Sequence, residues 1–196
     1  YKLGPVTLRN RTIRSAAFES MGKDFGPTRQ LKDYHVSVAR GGIGMTTLAY
    51  AAVCRSGLSF KSQLWLRPEI VPALRDITDA IHKEGAAASI QIGHCGNMTH
   101  YSTAGQIPSG FNLYAYTPVR KMRRDEIMQV SKDFGKAVRT AHAAGFDCVE
   151  VHAGHGYLIS QFLSPYTNHR RDEYGGSLDN RMRFMRMCLE EVMNAA

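Results

Sequence analysis

Cysteine is scarce and scattered: the 196 residues hold four, Cys54, Cys95, Cys148 and Cys188, with no C-x-x-C pair among them. That spacing argues against a zinc or iron–sulfur centre built within this segment and against a disulfide framework, so no metal is expected and a reducing cytoplasm is the expected compartment. Long apolar runs are missing too, so no transmembrane helix and no membrane partner are expected. No basic-then-apolar leader opens the chain, which gives no sign of a signal peptide. The first residue is Tyr1 rather than a methionine and falls inside what reads as a hairpin, which suggests a trimmed N-terminus. Internal repeats and low-complexity segments are also lacking. The net charge is +8, yet the basic residues form no aromatic-interleaved stripe, and their densest cluster is Arg120-Lys-Met-Arg-Arg124. Nucleic acid is therefore not an expected partner, and a basic enzyme surface serving a phosphate-bearing ligand is the ordinary reading.

What is present is the balance of a globular domain, 43% apolar and 21% charged, long enough to bury a core of its own. Short apolar strands alternate with amphipathic helices. Thr12–Phe18 reads as a strand after a small hairpin around Gly4-Pro5 and Arg9-Asn10. Thr28 is placed to cap a helix to Arg40, with Leu31, Tyr34 and Val38 on one side and Gly41-Gly42 at its end. Gly44–Val53 is a second strand, apolar enough to be buried on both faces. Pro68–Glu84 is a helix with Ile70, Leu74, Ile77 and Ile81 in helical spacing, Pro68 in its first turn and Gly85 past its end. Ala87–Ile92 is the third strand, and a long irregular stretch, Gly93–Arg123, follows; loops of that length are usually functional. Asp125–Ala144 is a helix facing inward through Ile127, Val130, Phe134, Val138 and Ala141, and Asp147–His152 is the fourth strand. The last helix follows Ser177, with Leu178, Met182, Met185, Leu189 and Val192 on one stripe.

Four βα units in succession predict a parallel sheet with helical crossovers. A doubly wound sheet and half of an eight-stranded barrel both fit. A doubly wound dinucleotide domain needs G-x-G-x-x-G after its first strand, whereas here that strand ends Ser15-Ala-Ala-Phe18. The fold class is therefore read as α/β of the (βα)8 TIM-barrel type, with about the first four units in this chain. In such a barrel the C-terminal strand ends form the site. They supply Ser15, Ala16 and Ala17, then Ala51 and Ala52, then Gln91, Ile92 and His94, then His152, His155 and Tyr157. Small residues leave room for a planar ring, and the Gln91 amide can donate to and accept from a pyrimidine-like edge. Two histidines three apart can both bond one oxygen, and a tyrosine two residues on can deliver a proton. Each residue alone has a plainer reading, as core or surface. His152-x-x-His155 with His94 or Cys95 also leaves a metal pair open, although no further ligand stands at a recognised spacing.

His152-Ala-Gly-His155-Gly-Tyr157-Leu-Ile-Ser-Gln-Phe-Leu-Ser-Pro165, followed by Asn168-His-Arg-Arg-Asp-Glu-Tyr-Gly-Gly-Ser177 and Asn180-Arg181, resembles the Old Yellow Enzyme family. The branch most similar holds bacterial xenobiotic reductases, dienoyl-CoA reductases and other NADH:flavin oxidoreductases. Leu3-Gly-Pro-Val-Thr-Leu-Arg-Asn-Arg11 and Ile90-Gln91-Ile-Gly-His94 extend the likeness over nearly the whole chain. The resemblance implies a barrel holding FMN, reduced by NAD(P)H, that passes hydride to an activated alkene. It implies that His152 and His155 bind the substrate carbonyl, that Tyr157 donates the proton and that Gln91 meets the flavin pyrimidine edge. Ser15, Ala16, Ala17 and Ala52 are then backbone positions lining the flavin. Two departures stand out: Phe18 falls where close relatives carry Thr, Cys or His, and the chain stops after four units. Residues 1–196 are read as the N-terminal half of an FMN-binding barrel domain, with homo-oligomerisation or a second half to close it. Flavin-dependent amine oxidation and a non-catalytic half barrel are the competing readings. A half barrel also leaves strand edges open.

The resemblance further implies that the FMN phosphate is cradled after strands seven and eight, outside this segment. Each charge-assisted hydrogen bond to a phosphate contributes roughly 1.5–3 kcal/mol, and about 1.4 kcal/mol is tenfold in affinity. These residues alone are accordingly expected to bind FMN far more weakly than the complete protein. Flavin-fluorescence titration checks this, and submicromolar binding by a monomer of this segment would contradict it.

Overall fold

The computed structural model describes residues 1–99, 103 and 119–196. Much of the irregular stretch expected over Gly93–Arg123 falls on residues 100–102 and 104–118, which lie outside the described residues. A two-stranded hairpin opens the chain, β1 (Lys2–Leu3) against β2 (Val6–Thr7). Four parallel strands follow in chain order: β3 (Ile13–Arg14), β4 (Met45–Ala52), β6 (Ala87–Gly93) and β7 (Cys148–Val151). Helices α1 (Arg29–Arg40), α2 (Val71–Lys83) and α3 (Arg124–Ala143) make the crossovers, and α4 (Leu158–Leu163) and α5 (Leu178–Ala195) follow β7. Sequential parallel order with helical crossovers is that of consecutive units in a (βα)8 barrel; a doubly wound sheet would place its first strand between the second and third.

The strands divide their residues between two faces. Ile90 and Ile92 join the apolar core beneath the helices, while Ser89, Gln91 and Gly93 alternate to the other face. Register carries that division to β7: Gln91 pairs with Glu150, and Ile92 with Val151. The helices complete the core as periodicity requires, with Leu74, Ile77 and Ile81 of α2 and Ile127, Val130, Phe134, Val138 and Ala141 of α3 buried. Side-chain oxygens cap two of the helices, Thr28 accepting from the Leu31 N–H and Ser177 from the Asn180 N–H.

Several expectations need correction. The helical stretch from Pro68 begins as a 3-10 turn, Pro68–Ile70, before α2 proper. In α1 the buried positions are Leu31, His35 and Ala39, while Tyr34 and Val38 are half-buried; His35 is interior because both ring nitrogens are bonded. In α5 the buried stripe is Phe184, Cys188 and Val192, and Leu178 and Leu189 are exposed, because the contact with α3 and α4 lies a few residues around the helix from the stripe the sequence suggests.

The first strand is shorter than Thr12–Phe18. β3 pairs with β4 only at Met45 and Thr46. Higher up, a short strand β5 (Leu64–Trp65) takes that edge, pairing with Ala51 and Ala52. The chain leaving β3 is held by side chains instead. Arg14 Nη1 donates to Glu19 Oε1 (2.8 Å) and to the Thr47 carbonyl (2.5 Å), and Arg14 Nη2 donates to the Ala17 carbonyl (3.0 Å). Glu19, its side chain 4% exposed, also lies 3.1 Å from His35 Nε2 and accepts the Ala49 N–H at 3.2 Å. His35 Nδ1 meets Thr46 Oγ1 at 2.8 Å. This polar knot joins the post-β3 loop, α1 and β4. Removing one partner of a buried ion pair strands the others in low dielectric, so Glu19→Ala is expected to destabilise the fold by about 3 kcal/mol, read as a lowered urea midpoint.

Candidate active site

β7 ends at Val151, and the chain turns sharply over His152–Tyr157 before α4 begins at Leu158. Two consecutive residues in that turn are left-handed, His155 at φ +55° and Gly156 at φ +70°. A left-handed backbone costs a side-chain-bearing residue on the order of 1 kcal/mol, so the surroundings must hold His155 there. They do so through hydrogen bonds: Tyr157 N–H to the Gly154 carbonyl (3.1 Å), Leu158 N–H to the His94 carbonyl (2.9 Å) and Ser160 Oγ to the Ala153 carbonyl (2.9 Å). Gln161, 1% exposed, donates from Nε2 to the carbonyls of Gly156 (2.6 Å) and Cys95 (3.1 Å) and to Asn97 Oδ1 (2.8 Å).

The turn gathers three rings. His152 and His155 have centroids 5.0 Å apart, and Tyr157 lies 4.9 Å from His152 and 6.5 Å from His155. Nδ1 of His152 accepts the Gly154 N–H at 3.4 Å, which places the His152 proton on Nε2. In that tautomer Nε2 donates to His155 Nδ1, 3.2 Å away, which leaves Nε2 of His155, an exposed residue, as its own donor nitrogen. Burial pushes the His152 pKa below that of an ordinary histidine, His155 beside it adds to the depression and Glu150 opposes it. His152 is therefore a neutral donor at neutral pH.

Next to this turn, on the inner face, Gln91 Nε2 donates to Glu150 Oε1 at 2.5 Å. The second amide hydrogen and the amide oxygen of Gln91 have no partner among the described residues, so a donor–acceptor pair remains for a ligand edge. Ser15 and Ala17 are exposed and Ala16 half-buried on the rim past β3, with the Ala17 carbonyl already held by Arg14. Ala52 is fully buried between β5 and β6, its carbonyl accepting from the Leu66 N–H at 3.0 Å. An unspent amide on the inner face fits the edge of a flat heteroaromatic group such as the flavin of FMN.

Two residues behave differently from a plain strand-end reading. His94 turns away from the ring cluster: its Nδ1 accepts the Gly96 N–H (3.0 Å) and its Nε2 lies 3.1 Å from Ser56 Oγ. It is a buried structural imidazole, and among the described residues no group of three His, Cys, Asp or Glu side chains is arranged to hold a metal ion. The second is Tyr50, which sequence reasoning missed. Between β4 and β6 the register slips: Leu48 pairs with Ile90 and Ala51 with Ile92, so Ala49 and Tyr50 together oppose Gln91. This bulge turns Tyr50 out of the alternation it would share with Leu48 and towards the site. Its ring centroid lies 5.6 Å from that of His152 and 5.2 Å from that of Tyr157. The only signal was a lone tyrosine among small apolar residues.

A profile of the NADH:flavin oxidoreductase / NADH oxidase family matches residues 1–196. The chain is 42% identical to a 4,4'-dithiodibutanoate disulfide reductase of Rhodococcus erythropolis, over 100% of this chain and 49% of that protein. It is also 42% identical to a probable N-methylproline demethylase of Rhizobium meliloti, over 94% of this chain and 28% of that protein. The solved structure of the old yellow enzyme homologue from Zymomonas mobilis superposes with a TM-score of 0.90 at 30% identity, over 100% of this chain and 59% of that one. The chain thus spans about half the length of the first of these curated relatives and under a third of the second.

His94 generates a pH prediction. Full burial pushes its pKa down to about 4, against 6.5 in the unfolded chain. Between those values the unfolded state binds the extra proton, so stability is present above the unfolded pKa and is lost as pH falls towards the folded one. Going from pH 7 to 5 is expected to cost about 2 kcal/mol at this residue, measured as a drop in denaturation free energy that His94→Asn reduces.

Proposed function

The chain belongs to the NADH:flavin oxidoreductase / NADH oxidase family, and from that premise we propose that the complete protein reduces activated C=C bonds, enones or enoyl thioesters, with FMN and NAD(P)H. The observation that carries the proposal is the ring cluster of His152, His155 and Tyr157 on a strained turn beside Gln91. Gln91 would hold the flavin's pyrimidine edge with its unspent amide groups, and the small residues Ser15, Ala16, Ala17 and Ala52 would lie along the ring. Bound FMN supplies the hydride that reaches the substrate's β-carbon. The protein's residues do the rest. The His155 Nε2–H donates to the substrate carbonyl oxygen, and His152 shares that oxygen when its own Nε2–H swings from His155. Each would present an N–H to that oxygen, so negative charge gathering on it in the transition state strengthens these hydrogen bonds. Tyr157 then gives its phenolic proton to the α-carbon, and one hydride and one proton complete the saturated bond.

The names of the two relatives set the alternatives. A disulfide acceptor also takes one hydride and one proton, giving two thiols, so Tyr157 would serve there too. Oxidation of an N-methyl amine removes a hydride and needs no proton donor. Tyr157→Phe therefore discriminates. In the complete FMN-loaded protein this variant is expected to lower 2-cyclohexenone reduction by roughly 10²–10⁴-fold while leaving reduction of the flavin by NAD(P)H near wild type. Undiminished enone turnover would remove Tyr157 from the chemistry. Turnover of N-methylproline, with none of 2-cyclohexenone, would favour the amine reading.

A further inference from the structure

Tyr50 is buried, 3% exposed, but it does not belong to the apolar core that packs beneath the helices. Its ring instead enters the active-site cluster from the side of β4, and two features put it there. The bulge opposite Gln91 turns its Cα–Cβ bond to the inner face. Gly93, on the strand between, then lets the ring cross: a Cβ at Gly93 would stand 3.2 Å from Tyr50 Cδ2 and 3.1 Å from the His152 Cβ. Tyr50 and His152 thus meet over a strand that has left the space empty for them.

The hydroxyl of Tyr50 points elsewhere. It donates to the Gly57 carbonyl at 3.1 Å and lies 2.7 Å from Ser59 Oγ, in the loop after β4. Gln63, fully buried, fixes that loop by accepting the Ser59 N–H at 2.7 Å. The phenol is thus engaged with a loop and stays protonated, since burial raises its pKa well above that of an ordinary tyrosine. What Tyr50 offers the site is a ring held at its far end, packed near both His152 and Tyr157.

We propose that Tyr50 is a positioning residue, a buttress anchored through Gly57 and Ser59 that fixes the ring of Tyr157 for proton delivery and shields His152 from water. The inference rests on the proposed roles of Tyr157 and His152. The groups facing His152 are Tyr50 from β4, Glu150 on its own strand, and His155 and Tyr157 from the turn. Displacement of a reacting group by about 1 Å costs on the order of 100-fold in rate, which sets the size of the effect.

The test is a set of variants of the complete FMN-loaded protein, assayed with 2-cyclohexenone and titrated by NMR of isotope-labelled histidine. Tyr50→Leu removes the ring and is expected to lower kcat by roughly 10- to 100-fold, with flavin reduction by NAD(P)H unchanged. Tyr50→Phe keeps the ring and loses only the tether, and is expected to stay within about threefold of wild type. In a Tyr157→Phe background, Tyr50→Leu should cost nothing further, because the ring it positions no longer donates a proton. The His152 resonances should titrate at higher pH in Tyr50→Leu than in Tyr50→Phe, as water reaches the imidazole. Gly93→Ala, which presses the two rings apart without altering either, should reproduce the kcat loss if Tyr50→Leu does not fold. Wild-type kcat in Tyr50→Leu, or an equal loss in the Tyr157→Phe background, overturns the proposal. If Tyr157→Phe is itself silent, the reading of Tyr157 fails, and the His152 titration alone decides for Tyr50: an unshifted curve overturns it.

Discussion

Three oxygens converge on one buried nitrogen, Nε2 of Gln161: the carbonyls of Cys95 and Gly156 and the side chain of Asn97. The amide carries two hydrogens, so one is shared, and its own oxygen accepts the Asn97 N–H at 3.3 Å. The loop after β6 and the turn after β7 are thereby fastened to each other from within. The fit leaves no slack, since a Cβ at Gly96 would lie 2.3 Å from Gln161 Oε1. A left-handed His155 next to a left-handed Gly156 would relax if the Gly156 carbonyl were free. With that carbonyl tied to a buried amide, relaxation means exposing or orphaning polar groups, which costs more than the strain it releases. The turn that carries the ring cluster is therefore held by a side chain whose hydrogen bonds go to backbone and to Asn97 and not to the rings.

The stretch that first pointed to a family divides by physical role. Its first half, His152 to Tyr157, holds the turn and the rings. Its second half is architecture. Asn168 Nδ2 donates to the carbonyls of Phe162 and Tyr174, both at 2.7 Å. Arg170 binds Asp172 through two nitrogens and reaches the Met122 carbonyl at 2.7 Å, while the Arg181 Nε–H takes the Leu163 carbonyl at 2.8 Å. These side chains satisfy the backbone where α4 ends and before α5 begins, where helix ends leave carbonyls unpaired. A long motif is specific because two kinds of constraint run through it at once, and only the shorter part carries the proposed chemistry.

Element positions were legible because apolar period and end signals agreed, as in α2 with Leu74, Ile77 and Ile81, and in α1 with its Thr28 cap. Buried polar groups were not. His35 and Glu19 read as surface residues by type, and only their mutual bonds, 16 positions apart in sequence, make them interior. The shortened first strand has the same origin, since Arg14 and Glu19 do with side chains what a longer strand would do with backbone. Tyr50 was hidden by a different mechanism. Alternation is a rule of period two, and counting from Leu48 assigns Tyr50 to the helix side. One extra residue in the strand reverses the assignment, and nothing in Leu-Ala-Tyr-Ala-Ala announces it.

Local rules break at two places that converge. One is the left-handed His155 in a chain whose other non-glycine residues of positive φ, among those described, are Ser20, Asp24 and Phe25 in the loop after β3. The other is the slipped register of β4 against β6. Each is unfavourable alone, a strained residue in one case and an interrupted ladder in the other. Together they bring Tyr50 from one strand and His155 from the turn after another against His152. An undistorted strand would have pointed Tyr50 into the helices, and a relaxed turn would have carried His155 away from His152. Departures from regular structure that coincide on one histidine bring together side chains that the regular sheet would hold apart, as the proposed site requires.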